Sequence, residues 1–136
     1  MKITRRTDYA IHLITELAKS SGKSLGLRTL AERHGATYAF ARTVQKGLLE
    51  AKIIKTTRGI NGGITLAKKL DEISLLDIFE AVQESLDATF GGDDPLDRSC
   101  EAACVTERLW SSTKKVLIEH FSKITMQQMI YPDEKL

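Results

Sequence analysis

The segment Arg58-Gly59-Ile60-Asn61-Gly62-Gly63 constrains the possible folds of this chain more than any other. It lies between two short β-prone runs, Ile53-Ile54-Lys55-Thr56-Thr57 and Gly63-Ile64-Thr65-Leu66-Ala67, and so reads as the tip of a β-hairpin. A phosphate-cradling loop of an NTPase is the rival for a glycine-rich stretch. It is excluded, because no G-x-x-x-x-G-K-[ST] pattern occurs and strand patterns flank both sides.

What precedes the hairpin decides its role. Ala10, Leu13, Ile14 and Leu17 recur at helical spacing, predicting a helix over about 6–20 that stops at Ser20-Ser21-Gly22. A shorter helix over about 27–34 ends at Gly35. Thr37 stands at an N-cap position and opens a third helix that runs to about Ala51. Two helices joined by a short glycine-containing turn outline a helix-turn-helix. A hairpin directly after the second of them is a wing.

The third helix has two faces. At 100° per residue Phe40, Ala41, Val44 and Leu48 gather on one side, while Tyr38, Ala39, Arg42 and Lys46 gather on the other, with Thr43 flanking. An apolar back and an Arg/Lys/Tyr front suit the major groove of DNA, although a solvated face on any amphipathic helix looks much the same. The wing shifts the balance toward DNA, with Arg58 as its candidate for a narrow minor groove. The expected contacts are Thr37, Tyr38, Arg42, Thr43 and Lys46 on the helix, and Arg58 and Asn61 on the wing.

Charge separates along the chain in the same sense. Residues 1–70 hold fourteen Lys and Arg against four acids, a net of +10, whereas 71–136 hold six against fourteen, a net of −8. A basic half joined to an acidic half is expected where only one part meets a polyanion, and phosphate contacts dominate nucleic-acid affinity. Double-stranded DNA is the expected partner. No apolar run approaches the roughly 20 residues that span a bilayer, and acidic and polar residues interrupt MKITRRTDYAIHL where a signal peptide needs an apolar stretch. No membrane partner and a cytoplasmic location are expected.

The acidic half opens with Ile73–Val82, a short amphipathic helix capped by Ser74. Residues 85–100 carry Gly91-Gly92, Asp93-Asp94 and Pro95 and read as an exposed loop. A long helix of about 30 Å follows from Cys104 to Lys123, with a stripe of Val105, Leu109, Val116, Leu117, Phe121 and Ile124. A chain this small has few elements to cover such a helix, so a homodimer is the economical arrangement. The expected fold is mainly α: a winged helix-turn-helix over 1–70, and a dimerisation region over 71–136 containing the long helix and a cysteine-bearing loop at 85–104.

In sequence order, Met1-Lys2-Ile3-Thr4, Thr7-Asp8-Tyr9-Ala10, Leu30-Ala31-Glu32, the wing from Arg58 to Leu66, Ile73–Ile78 and the cysteine loop resemble the Rrf-two family of bacterial regulators. That family includes regulators of iron–sulfur cluster biogenesis and nitric-oxide-sensing repressors. The resemblance covers nearly the whole chain and implies a dimeric winged-helix regulator, often a repressor, on a palindromic operator. Cluster-bearing members usually have three cysteines in this loop. This chain has Cys100 and Cys104, with Phe90 about where the first would lie and Glu107 where some members carry histidine.

A three-cysteine site is therefore impossible, but Asp8 and His12 lie four residues apart on the face of the first helix opposite its apolar stripe. In some relatives an acidic residue and a histidine at these positions, from the partner subunit, complete the cluster. The resemblance thus implies an iron–sulfur cluster of the two-iron type, with Cys100, Cys104, His12 and Asp8 as ligands. A Cys100/Cys104 thiol switch or a small-molecule effector is the alternative, with Asp8 and His12 an ordinary surface pair. An enzyme would need a nucleophile–base pair from Cys100 or Cys104 with His12 or His120. No elbow, oxyanion loop or cofactor fingerprint accompanies these residues, so no enzyme is expected. A protein-interaction adaptor would lack the basic half.

Overall fold

The computed structural model describes residues 3–82, 86 and 101–132. Helix α1, Arg5–Lys19, is opened by Thr4, whose hydroxyl accepts from the Arg6 amide at 3.2 Å. It buries Tyr9 alongside the expected Ala10, Leu13, Ile14 and Leu17. Helix α2, Leu27–Arg33, ends at Gly35, whose φ of +62° lets the chain reverse so that the Ala36 amide reaches the Ala31 carbonyl at 2.9 Å. Helix α3, Tyr38–Glu50, starts where Thr37 accepts from the Phe40 amide at 3.2 Å. Its buried Ala41, Val44 and Leu48 are the apolar back expected from the sequence.

The wing is an antiparallel hairpin of β1, Ile54–Thr57, and β2, Gly63–Leu66, with Ile54 opposite Leu66 and Thr57 opposite Gly63. Leu25, between α1 and α2, adds a short third rung, since its amide donates to Ile64 at 3.0 Å and the Ile64 amide returns to it at 2.8 Å. This close approach requires glycine at 63, where a Cβ would lie 2.8 Å from the Leu25 carbonyl oxygen. The wing is thereby tied to the helical body near its tip end, not only through its base.

Beyond a 3-10 turn at Leu70–Glu72 comes helix α4, Leu75–Ala81. Ser74 caps it reciprocally: the Asp77 amide donates to the Ser74 hydroxyl at 3.1 Å, and the Ser74 amide donates to the Asp77 carboxylate at 2.8 Å. Helix α5, Glu101–Lys123, begins one turn earlier than the sequence predicts, so Cys104 stands in its first turn rather than at the end of a loop. Apart from Leu86, the predicted loop at 85–100, with Phe90 and Cys100, lies outside the described residues. A last helix, α6 at Met126–Ile130, has no counterpart in the sequence reading.

The main core joins Leu13, Ile14, Leu30, Val44, Leu48, Ile53 and Ile64 to Ile73, Ile78, Val82 and Met126, so it draws on both sides of residue 70. Two hydrogen bonds fasten the C-terminal end into it: the Leu75 amide donates to Ile124 and the Met126 amide to Ile73, both at 2.8 Å. A second cluster packs Phe79, Leu86 and Phe121, with the Phe79 and Phe121 rings stacked 5.2 Å apart. Leu117 and Ile118 of α5 lean on this cluster, but Val105, Leu109 and Val116 remain 61%, 54% and 63% exposed. Among the described residues no helix is long and apolar enough to cross a membrane.

Candidate nucleic-acid interface

The predicted front of α3 faces solvent. Tyr38, Arg42, Thr43 and Lys46 are all exposed. Two of the expected contacts have hydroxyls already engaged: Thr37 caps the helix, and Thr43 donates to the Ala39 carbonyl at 3.1 Å. Lys46 sits 3.9 Å from Glu50, a loose exposed pair that leaves the ammonium available.

The first turn of α3 collects arginines from three helices. The Arg28 guanidinium of α2 lies 4.5 Å from the Tyr38 ring centroid, and Arg42 lies 6.0 Å from the same ring. Arg5, at the start of α1, lies 5.4 Å from the Phe40 ring. Phe40 in turn meets Tyr9 edge-on at 5.6 Å, which ties the turn to the core. Burial of Tyr9 raises its phenol above the ordinary value, so it stays neutral beneath this basic surface.

Arg58 and Asn61 are exposed on the wing. The Ser24 hydroxyl donates to the Asn61 carbonyl at 2.7 Å, and the Gly62 amide donates to Gly59 at 2.9 Å, so the tip is held as a turn. Ile60 projects from it fully exposed. Arg5, Arg28 and Ile60 are absent from the sequence-based set. The two arginines come from separate helices, and no local spacing relates them to α3. Ile60 does carry a signal: it is the apolar residue at an otherwise polar, glycine-rich tip.

The expected sensor residues are only partly brought together. Asp8 and His12 are exposed on α1, away from the core as the helical period predicts. The His12 ring lies 5.0 Å from that of His34, a neighbour the sequence did not suggest. Nε2 of His34 is 3.4 Å from the Glu16 carboxylate without the alignment of a hydrogen bond, while Arg33 pairs with the same carboxylate at 3.0 Å. Cys104 and Glu107 are exposed on α5, and Cys100 lies outside the described residues. Among the described residues no three His, Cys, Asp or Glu side chains are grouped to hold a metal ion, so one chain does not unite Asp8, His12 and Cys104.

A helix-turn-helix with a basic front, followed by a glycine-tipped wing, defines a winged-helix DNA-binding transcription regulator. The comparisons with known proteins specify which kind. The Rrf2 family model, described as an iron-dependent transcriptional regulator, matches residues 3–132, and the chain belongs to that family. The HTH-type transcriptional regulator IscR of Sodalis glossinidius is 27% identical over 145 residues, covering 100% of this chain and 82% of the relative. Among solved structures, IscR of T. potens matches with a TM-score of 0.71 at 25% identity, over 96% of this chain and 86% of that one. CymR, the global cysteine regulator of B. subtilis, has the same fold with a TM-score of 0.74 at 22% identity, over 98% of this chain and 99% of that one. The relatives are named as transcription regulators, not enzymes.

Proposed function

We propose that this regulator acts in the cytoplasm as a homodimeric repressor on a palindromic operator, with α3 in the major groove and the wing in the adjacent minor groove. The observation that carries the reading is the exposed Tyr38–Arg42–Lys46 front of α3 beside the Arg58–Asn61 tip, on a half of the chain with a net charge of +10. Arg42 and Lys46 offer donors to base edges and phosphates, Arg58 a guanidinium to the minor groove, and Asn61 a side-chain amide beside it. These elements all fall within 1–70, and the surface offered to a second copy falls within 71–136. Val105, Leu109 and Val116 fall on one face of α5, a helix of 23 residues or about 34 Å. A second copy of that helix covers this face and sets two recognition helices at a fixed separation.

The test is a salt series on a fluorescent duplex selected by the wild-type chain from a random-sequence pool. Log affinity should fall linearly with log salt, and Arg58→Ala should lower the slope by about 1. Arg42→Ala should weaken binding by about 1–3 kcal/mol if it reads a base. Wild-type affinity in both variants overturns the assignment of these faces.

For the sensor, the reading we favour is an iron–sulfur cluster held by Cys100 and Cys104 of one subunit with His12 and Asp8 of the partner subunit. Two thiolates, an imidazole and a carboxylate are a donor set suited to iron. The family description names iron, and the exposure of Asp8, His12 and Cys104 leaves each accessible to a second chain. The cluster would supply a group that responds to oxidants or nitric oxide. Asp8 and His12 belong to the helix beneath the recognition helix, and Cys104 to the dimer helix, so the protein's own part is to join the two. A second reading, a metal-free Cys100/Cys104 thiol switch, is favoured by the exposed Cys104 thiol.

A further inference from the structure

The ring of Tyr38 is shared by two arginines from different helices of the helix-turn-helix, Arg28 on α2 at 4.5 Å and Arg42 on α3 at 6.0 Å from its centroid. We propose that Arg28 is a DNA-contacting residue, and that Tyr38 is a positioning residue whose ring holds both guanidinium groups oriented toward the duplex. The proposal rests on the reading of α3 as the recognition helix. It adds a contact from α2 and a reason for an aromatic residue at 38.

How the two charges are held carries the argument. Three cations of this chain lie against carboxylates: Arg33 on Glu16, Lys46 on Glu50, Lys123 on Glu119. Among the described residues neither Arg28 nor Arg42 has a carboxylate within ion-pair distance. Both instead sit against the face of an aromatic ring, itself 41% exposed. A carboxylate partner occupies a guanidinium's donors and cancels its charge. A ring face attracts the cation through its quadrupole, while the N–H donors in the guanidinium plane stay free for a phosphate or for guanine O6 and N7. Ring-held arginines therefore keep full charge and full donor capacity, and have already lost part of the side-chain freedom that binding would otherwise remove.

The ring also solves a problem of repulsion. Two guanidinium groups sent to one DNA surface from adjacent helices repel each other, and a shared ring gives each a favourable site. The Thr37 cap fixes the backbone of the turn that bears the ring, and the neighbouring Phe40, under Arg5, anchors that turn to Tyr9. The three arginines thus converge on one rigid turn instead of sampling separate rotamers.

The decisive experiment is a double-mutant cycle of Tyr38→Leu and Arg28→Ala, with Tyr38→Phe alongside, read as affinity and salt slope on the selected duplex. Circular dichroism should show wild-type folding in every variant, since these side chains lie outside the core. Immobilising a rotamer-rich side chain on binding costs about 0.5–1.5 kcal/mol, so Tyr38→Leu, which releases two guanidinium groups, should weaken binding on the order of tenfold. Its salt slope should stay near wild type, because the charges remain. Arg28→Ala should weaken binding and lower the slope by about 1. The double variant should lose clearly less than the product of the single losses, and Tyr38→Phe, which keeps the ring, should recover most of the affinity that Tyr38→Leu loses.

Losses that simply multiply overturn the positioning role. A Tyr38→Phe variant as weak as Tyr38→Leu overturns it too, because the hydroxyl would then be making the contact. An unchanged slope in Arg28→Ala removes Arg28 from the interface. If the wild-type chain selects no duplex at all, the reading of α3 itself fails and this proposal falls with it.

Discussion

Met126 tests whether the end of the chain belongs to the unit that binds DNA. It lies more than fifty residues beyond the wing in sequence, yet its side chain is fully buried in the core that holds α1, α3 and β2 in place. Met126→Ala leaves the backbone bond to Ile73 intact and deletes three heavy atoms from that core. Their transfer to water is worth about 2 kcal/mol at roughly 0.8 kcal/mol per buried methylene. With the cavity left behind, the expected cost is about 2–5 kcal/mol. Native stabilities are only about 5–15 kcal/mol, so the loss is a large share of the total. Thermal unfolding should shift down by on the order of 10 °C for a chain of this size. The assay is circular dichroism and urea denaturation at fixed protein concentration, so that subunit association does not vary. Gln127→Ala, an exposed neighbour in α6, serves as the control and should stay within about 0.5 kcal/mol of wild type. An unfolding midpoint for Met126→Ala equal to that of Gln127→Ala would refute the core assignment.

The sequence was legible wherever one segment carried its own signal. The apolar period of α1, the Thr37 and Ser74 caps, the Gly35 stop and the Gly63 hairpin are all local, and each element appears within a few residues of its expected place. What escaped depends on contacts distant in sequence. Met126-Gln127-Gln128-Met129-Ile130 is too short to show a period, and becomes helical because Thr125 caps it and Met126 enters a core built elsewhere. Cys104 lies within α5, Glu101–Lys123, where the sequence reading puts it at the junction of loop and helix. The front of α3 was readable from its period. The arginines that α1 and α2 add to it were not, because their approach exists only after the helices pack. The sensor is the least legible part, because the proposal draws its ligands from positions far apart in sequence and from two subunits.

Two further outcomes separate the remaining readings. Anaerobically prepared wild type should contain iron and absorb visible light, whereas Cys104→Ala should not; a colourless, iron-free wild type after attempted reconstitution excludes the cluster and leaves the thiol switch. The other outcome concerns how α4 is joined to the recognition helix. The two helices cross at Gly47, where an added Cβ would overlap the Ala81 carbonyl oxygen and lie 3.1 Å from its carbon. Gly47→Ala sets two effects against each other. Replacing a mid-helix glycine by alanine favours the helix by about 1 kcal/mol. The methyl, however, meets backbone atoms that cannot rotate away, so α3 and α4 must separate, and overpacking of this kind costs about 1–3 kcal/mol. Val44 and Leu48 flank the crossing and are fully buried, so the separation also loosens their packing. The clash should win, and thermal unfolding should fall rather than rise. DNA affinity should fall as well, because α3 carries the proposed contacts and has shifted. A Gly47→Ala variant more stable than wild type would mean that the crossing is looser than described, and that α4 does not hold the recognition helix in place.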